Sequence, residues 1–137
     1  SDQFSRDELR AFMTRNLEKL DRVTRQSAVV PAPWAKHAEQ ARAGLADLYP
    51  LLDSPGALDL EDLERRLTVI EDRLTAGLTS SADEEALLTI RRELDRQLAP
   101  YRRRMTAAQL SQLERQYIQK RLFEKCDLPR LSLFYLA

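Results

Sequence analysis

Two side chains in this sequence are the usual starting points for catalysis or metal binding, His37 and Cys126, and each residue type occurs once. Brought together they would make a thiol nucleophile with an imidazole base, or half of a four-ligand structural zinc site. They stand nearly ninety residues apart and no motif frames either of them. A di-iron bundle site wants Glu-x-x-His motifs on two facing helices, and the chain has none. Cys126 is expected near a helix C-terminus, where the helix dipole disfavours a thiolate, and His37 is expected as a solvated helix residue. There is no glycine-rich phosphate loop, Walker lysine or dinucleotide fingerprint. Carboxylates gather at Glu61, Asp62 and Glu64 and at Asp83-Glu84-Glu85. Both groups fall in first turns of predicted helices, where acids complement the dipole. The expectation is a protein with no self-contained catalytic site, no cofactor and no metal.

Two stretches retain binding chemistry. The first is basic: Arg91, Arg92, Arg96, Arg102, Arg103, Arg104, Arg115, Lys120, Arg121 and Lys125 face only Glu93, Asp95, Glu114 and Glu124, net +6, with Tyr101 and Tyr117 interleaved. Such a stretch can form an electrostatic footprint for nucleic-acid phosphates. Residues 53–90 hold ten acids and three bases, net −7. The favoured reading is therefore internal, with opposed charge on neighbouring helices setting bundle register. The second stretch is the terminus from Pro129, where Leu131, Leu133, Phe134, Tyr135 and Leu136 crowd together with Arg130 as the only charge. Apolar side chains so dense should not stay in water. They either complete the core or dock on another subunit, by groove burial or strand addition.

The elements that carry these residues are helices. Three glycines, few β-branched residues and abundant Leu, Ala, Arg, Glu and Gln point that way. Ser5 and Glu8 form a capping box. The stripe Leu9, Phe12, Met13, Leu17, Leu20, Val23 then predicts a helix to about Gln26. Val29 to Pro33 reads as an extended connector, since each proline pushes its predecessor out of helical geometry. A second helix is expected to start near Pro33, carry Trp34, Ala38, Ala41, Leu45, Leu48 and Leu52, and kink or stop near Tyr49 because of Pro50.

Asp53-Ser54-Pro55-Gly56 reads as a turn. A third helix opens at the cap Asp59 with the seam Leu60, Leu63, Leu67, Ile70, Leu74, and Gly77 lies near its expected end. Thr79-Ser80-Ser81 reads as a short link that makes the third and fourth helices antiparallel neighbours, and Ser81 with Glu84 as another capping box. The fourth helix carries Leu87, Ile90 or Arg91, Leu94, Leu98, Tyr101 and Met105 on one face, with a kink or break expected at Pro100. Thr106 and Gln109 cap a fifth helix that runs through Leu113, Tyr117, Ile118 and Leu122 to about Lys125.

Within that last region, Arg103 to Tyr117 resembles the arm and first helix of a homeodomain over about fifteen residues. No second helix and no recognition helix with a Trp-Phe-x-Asn signature follow. A capping box with a Leu-Leu-Tyr stripe arises in any helix, so the likeness carries no assignment.

At 137 residues the chain fits one domain able to bury a core without disulfide or metal. Net charge is formally zero, with 11 bases against 17 acids in residues 1–90 and 11 against 5 thereafter. One cysteine cannot form an internal bridge, which suits a reducing, cytoplasmic compartment. No apolar run approaches the roughly 20 residues that span a bilayer, and no signal peptide is expected. The opening Ser1, in place of Met, and the apolar terminus suggest a piece of something longer. The expected fold is all-α: an antiparallel bundle of four to five amphipathic helices over residues 1–128, with a short apolar C-terminal tail, 129–137, docked on the bundle or on a partner. The expected role is protein–protein interaction, assembly or regulation, with another protein or a second copy as partner. Nucleic-acid binding through 91–125 is the alternative. A ligand pocket around Trp34, Tyr49 and Tyr101 is a third idea that sequence cannot test.

Overall fold

The computed structural model describes residues 4–136, so Ser1 and the last tail residue, Ala137, lie outside the described residues. The fold is all-α, a bundle of five long helices and one single-turn helix, with no strand among the described residues. The elements are α1 (Arg6–Val29), α2 (Ala35–Ala46), α3 (Tyr49–Leu52), α4 (Leu60–Ser81), α5 (Glu84–Leu98) and α6 (Ala107–Lys125), with 3₁₀ turns at Arg102–Arg104 and Leu133–Tyr135.

The caps explain most boundaries. Both bonds of the Ser5/Glu8 capping box are present at α1 and both of Thr106/Gln109 at α6, and the Asp59 carboxylate accepts from the Asp62 amide at α4. Each satisfies amides that the first helical turn leaves without partners. At Pro50 the missing N–H and the ring both act on the carbonyl four residues back, which is Ala46. Ala46 is where α2 stops, and Pro50 enters the first turn of α3.

Three sequence expectations change. α2 begins at Ala35 behind Trp34 rather than at Pro33. Thr79 to Ser81 belong to α4, because the hydroxyls of Thr79 and Ser80 donate to the carbonyls of Thr75 and Gly77 and suit the helix's last turn. The Ser81/Glu84 box is therefore absent, and Asp83 caps α5 by accepting from the Glu85 amide. Finally, α4 and α5 are not packed neighbours. α1 packs on α2, α2 on α4, α4 on α6 and α6 on α5, so the fourth predicted helix turns away from the third.

The predicted stripes meet in one core. Leu9, Met13, Leu20, Leu45, Leu63, Leu67, Leu74 and Ile90 are buried in it, and each such side chain is worth about 1.5–3 kcal/mol when removed from water. Two glycines let α2 lie close on α4. A Cβ on Gly77 would stand 2.2 Å from His37 Cγ, and one on Gly44 would stand 3.3 Å from Ile70 Cδ1. His37 is thus half-buried at a helix crossing rather than solvated.

Pro100 resolves as a break. α5 ends at Leu98, a 3₁₀ turn of three arginines follows, and α6 starts afresh. At the far end, Cys126 caps α6 and Asp127 takes φ +53°. The Asp127 amide donates to the Glu124 carbonyl and the Leu128 amide to the Phe123 carbonyl, a Schellman arrangement that turns the chain back onto the bundle before Pro129.

Candidate protein-binding face

The two stretches singled out in the sequence meet opposite fates. Leu131 and Leu133 are buried in the bundle, Leu128 joins them, and Leu136 is half-buried. Phe134 and Tyr135 point outward, 78% and 44% exposed, in edge-to-face contact with each other. Leu131, Leu133 and Leu136 of the tail are therefore occupied by the molecule itself.

What holds the tail is polar. Glu71, in the middle of α4, is buried, and its Oε2 accepts from the Leu131 amide at 2.7 Å and from Arg130 Nε at 3.2 Å. Arg130 Nη2 donates to Glu71 Oε1 at 3.1 Å and to Gln119 Oε1 at 2.8 Å, while Gln119 Nε2 donates to Thr75 Oγ1. Glu64, seven residues earlier on α4, accepts from the Ser132 hydroxyl and the Leu133 amide. Asn16 of α1 donates to the Arg130 carbonyl at 3.2 Å. The Arg130 guanidinium also lies over the rings of Phe123 and Tyr135, 5.0 and 4.5 Å from their centroids. No buried side-chain nitrogen or oxygen among the described residues is left without a partner, which is the condition under which such a pair persists in a core. Glu71, Asn16 and Gln119 escaped the sequence reading. The available signals were two acids seven apart beside an apolar seam and a lone arginine inside an apolar tail.

The basic stretch forms a helical hairpin, α5 and α6 joined through the arginine turn. The ion pairs it makes lie within the stretch: Arg91 with Glu114, Arg102 with Asp95, and Arg121 with both Glu93 and Glu124. None of these partners comes from the acidic residues 53–90. This corrects the expectation that opposed charge on α4 and α5 sets their register. Arg92, Arg96, Arg103, Arg104, Arg115 and Lys120 have no ion pair among the described residues.

The core follows this hairpin only part of the way. Ile90, Ile118, Leu122 and Phe123 belong to it, whereas Leu98, Met105, Leu110 and Leu113 are half-buried outside it and Tyr101 is 53% exposed. On one face of the hairpin end, Tyr101, Met105 and Leu113 line a groove of about 510 Å³ with Gln109, Gln112, Gln116 and Arg104. The same face continues toward the body as a polar cleft between Arg96 and Gln97 of α5 and Tyr117 and Lys120 of α6. An apolar groove with a few placed polar groups is what a binding site requires.

Comparison with protein-family models, with curated proteins and with solved structures finds no match for this chain. The site therefore rests on its own geometry.

The remaining candidates are quickly placed. No group of His, Cys, Asp and Glu suited to hold a metal occurs among the described residues, and no helix there is long and apolar enough to cross a membrane. Burial pushes the Cys126 thiol up to about 11, against a smaller opposing pull from Lys125. The direction agrees with the dipole argument, but the cause is desolvation. Trp34 and Tyr49 pack against the core, and the Tyr49 hydroxyl lies 3.0 Å from Thr14 Oγ1, while Tyr101 stands outside the core on the hairpin. The three aromatics do not share a pocket.

Proposed function

We propose that this chain is a non-enzymatic assembly or regulatory domain that binds another protein through the exposed face of the α5–α6 hairpin. One observation carries the reading: beyond Ile90 and Ile118 the hairpin keeps an apolar groove, at Tyr101, Met105 and Leu113, that the rest of the molecule does not cover. Apolar surface rimmed by polar residues is characteristic of a docking face. The tail, by contrast, spends its leucines on the chain's own core and offers a partner only Phe134 and Tyr135. A cytoplasmic setting is part of the proposal, supported by the single unbridged cysteine.

The test is site-specific photo-cross-linking in the cell that makes the protein, with a benzophenone amino acid at position 113 and, as a control, at the exposed position 36. A protein adduct at 113 and none at 36 is expected. No adduct at 113 contradicts the reading.

A second reading has its own support. Arg92, Arg96, Arg103, Arg104 and Arg115 stand exposed and without an ion pair among the described residues, as phosphate contacts would require. It makes the hairpin a nucleic-acid-binding accessory. Binding to labelled DNA or RNA that falls steeply between two salt concentrations, and is lost on replacing Arg102, Arg103 and Arg104 by Ala, would favour it. Absence of binding at low salt would remove it.

A further inference from the structure

We infer that the occupant of this face is an acidic amphipathic helix supplied by another protein, an inference that rests on the protein-binding reading above. Two helices side by side offer a groove that a third helix fills, presenting apolar anchors at i, i+3, i+4 and i+7. The lining of the face runs along α6 from Gln109 to Glu124, which at 1.5 Å per residue is about 22 Å, or four helical turns. The occupant then needs about fifteen residues. Its anchors meet Tyr101, Met105 and Leu113, the part of the face with the least polar lining.

Charge decides the rest of its composition. The two carboxylates on the face, Glu93 and Glu124, are both engaged by Arg121, at 3.3 and 2.8 Å, and Glu93 also accepts from the Tyr117 hydroxyl at 3.2 Å. The cations Arg96, Arg104 and Lys120 on the same face have no ion pair among the described residues. The face as a whole keeps an excess of positive charge, with Arg96, Arg104, Lys120 and Arg121 against Glu93 and Glu124. Arg104, Arg96 and Lys120 run from its apolar end to its middle. An occupant with carboxylates flanking its apolar stripe fits both the steering and the register that such charges impose. A second copy laid face to face would set two surfaces of the same net sign against each other, which selects against it. A nucleic-acid backbone would satisfy the cations but leave Met105 and Leu113 without apolar cover.

The experiment is a display selection of random sixteen-residue peptides on the full chain, followed by affinity measurement on the enriched sequences and light scattering of the free protein. Enrichment of net-negative peptides with helical apolar spacing is expected. Their affinity should fall about tenfold or more on Leu113→Glu or Tyr101→Glu, as for a central anchor, and severalfold on Arg104→Glu. Tyr101 is exposed, so its variant keeps the test valid if Leu113→Glu fails to fold, as circular dichroism would show. Enrichment of basic or unpatterned peptides, no enrichment, or affinity indifferent to Tyr101→Glu overturns the inference. A dimer dispersed by Tyr101→Glu gives the face to a second copy, which ends this inference and leaves the protein-binding reading standing. Oligonucleotide binding lost on Arg104→Glu, without peptide enrichment, ends both.

Discussion

The C-terminal tail and the end of the α5–α6 hairpin both carry apolar side chains, but in sequence only the tail read as an apolar docking element, while the hairpin read as a basic stretch. The tail is closed. Leu128, Leu131 and Leu133 are buried, and the segment that carries them is fastened by Glu71, Glu64 and Asn16 to α4 and α1. The hairpin end is open, because α5 packs on α6 and turns away from α4, so Tyr101 stands exposed and Met105 and Leu113 stay only half-buried outside the core. The difference shows that apolar content alone does not mark an interface. Where the backbone amides and charges of a segment find partners decides whether its leucines belong to the core.

The largest effect is expected from Glu71→Ala. It removes the acceptor of the Leu131 amide and leaves Arg130 without its buried carboxylate. Losing one member of a buried pair costs about 3–5 kcal/mol, and denaturant unfolding should show a loss of that order. A loss below about 0.5 kcal/mol, the range of an ordinary surface site, would mean the tail is not held as described.

A thiol comparison sharpens the same contrast. Cys126 sits where the hairpin rejoins the body, and burial holds its thiol at about 11 instead of the ordinary 9.0. Two pH units mean roughly a hundredfold less thiolate at pH 8. Iodoacetamide should therefore modify native Cys126 about that much more slowly than the unfolded chain. A cysteine at position 113 in a Cys126→Ser background should react at nearly the unfolded rate. The linkage sign follows: the raised value gives stability that is present below pH 9 and lost as pH rises through 11.

Next in size is Gly77→Ala. The added methyl would stand 2.2 Å from His37 Cγ, and overpacking of this kind costs about 1–3 kcal/mol. Adding His37→Ala should recover most of that loss in a double-mutant cycle. The smallest effect belongs to the open face. Tyr101→Ser should change stability by no more than about 0.5 kcal/mol, while weakening whatever binds there.

Most of the helical layout was legible from local chemistry. Ser5/Glu8, Asp59 and Thr106/Gln109 announced three helix starts, and Pro50 and Pro100 announced two breaks, because caps and prolines act within four residues. Helix order in space was less legible. The Thr79–Ser81 run looked like a link because hydroxyl residues favour turns, yet the same hydroxyls also bond back to carbonyls within a helix. The true link is the pair Ala82–Asp83, and α5 departs toward α6. The tail's fastening was invisible for a different reason: Glu71 and Arg130 are 59 residues apart, and nothing local distinguishes a buried glutamate from a solvated one. Gly77 does lie near the end of α4, but its role as the space for His37 was not legible in sequence.

The free molecule covers its tail and leaves the hairpin end open. Residue-resolved amide hydrogen exchange on the free chain tests it most directly, since local opening and global unfolding separate by their free energies. The amides of Leu131 and Leu133 should exchange only through global unfolding, and those of Leu110 to Leu113 should open well below that limit. Equal protection at both places, or a hairpin end more protected than the tail, would contradict the account.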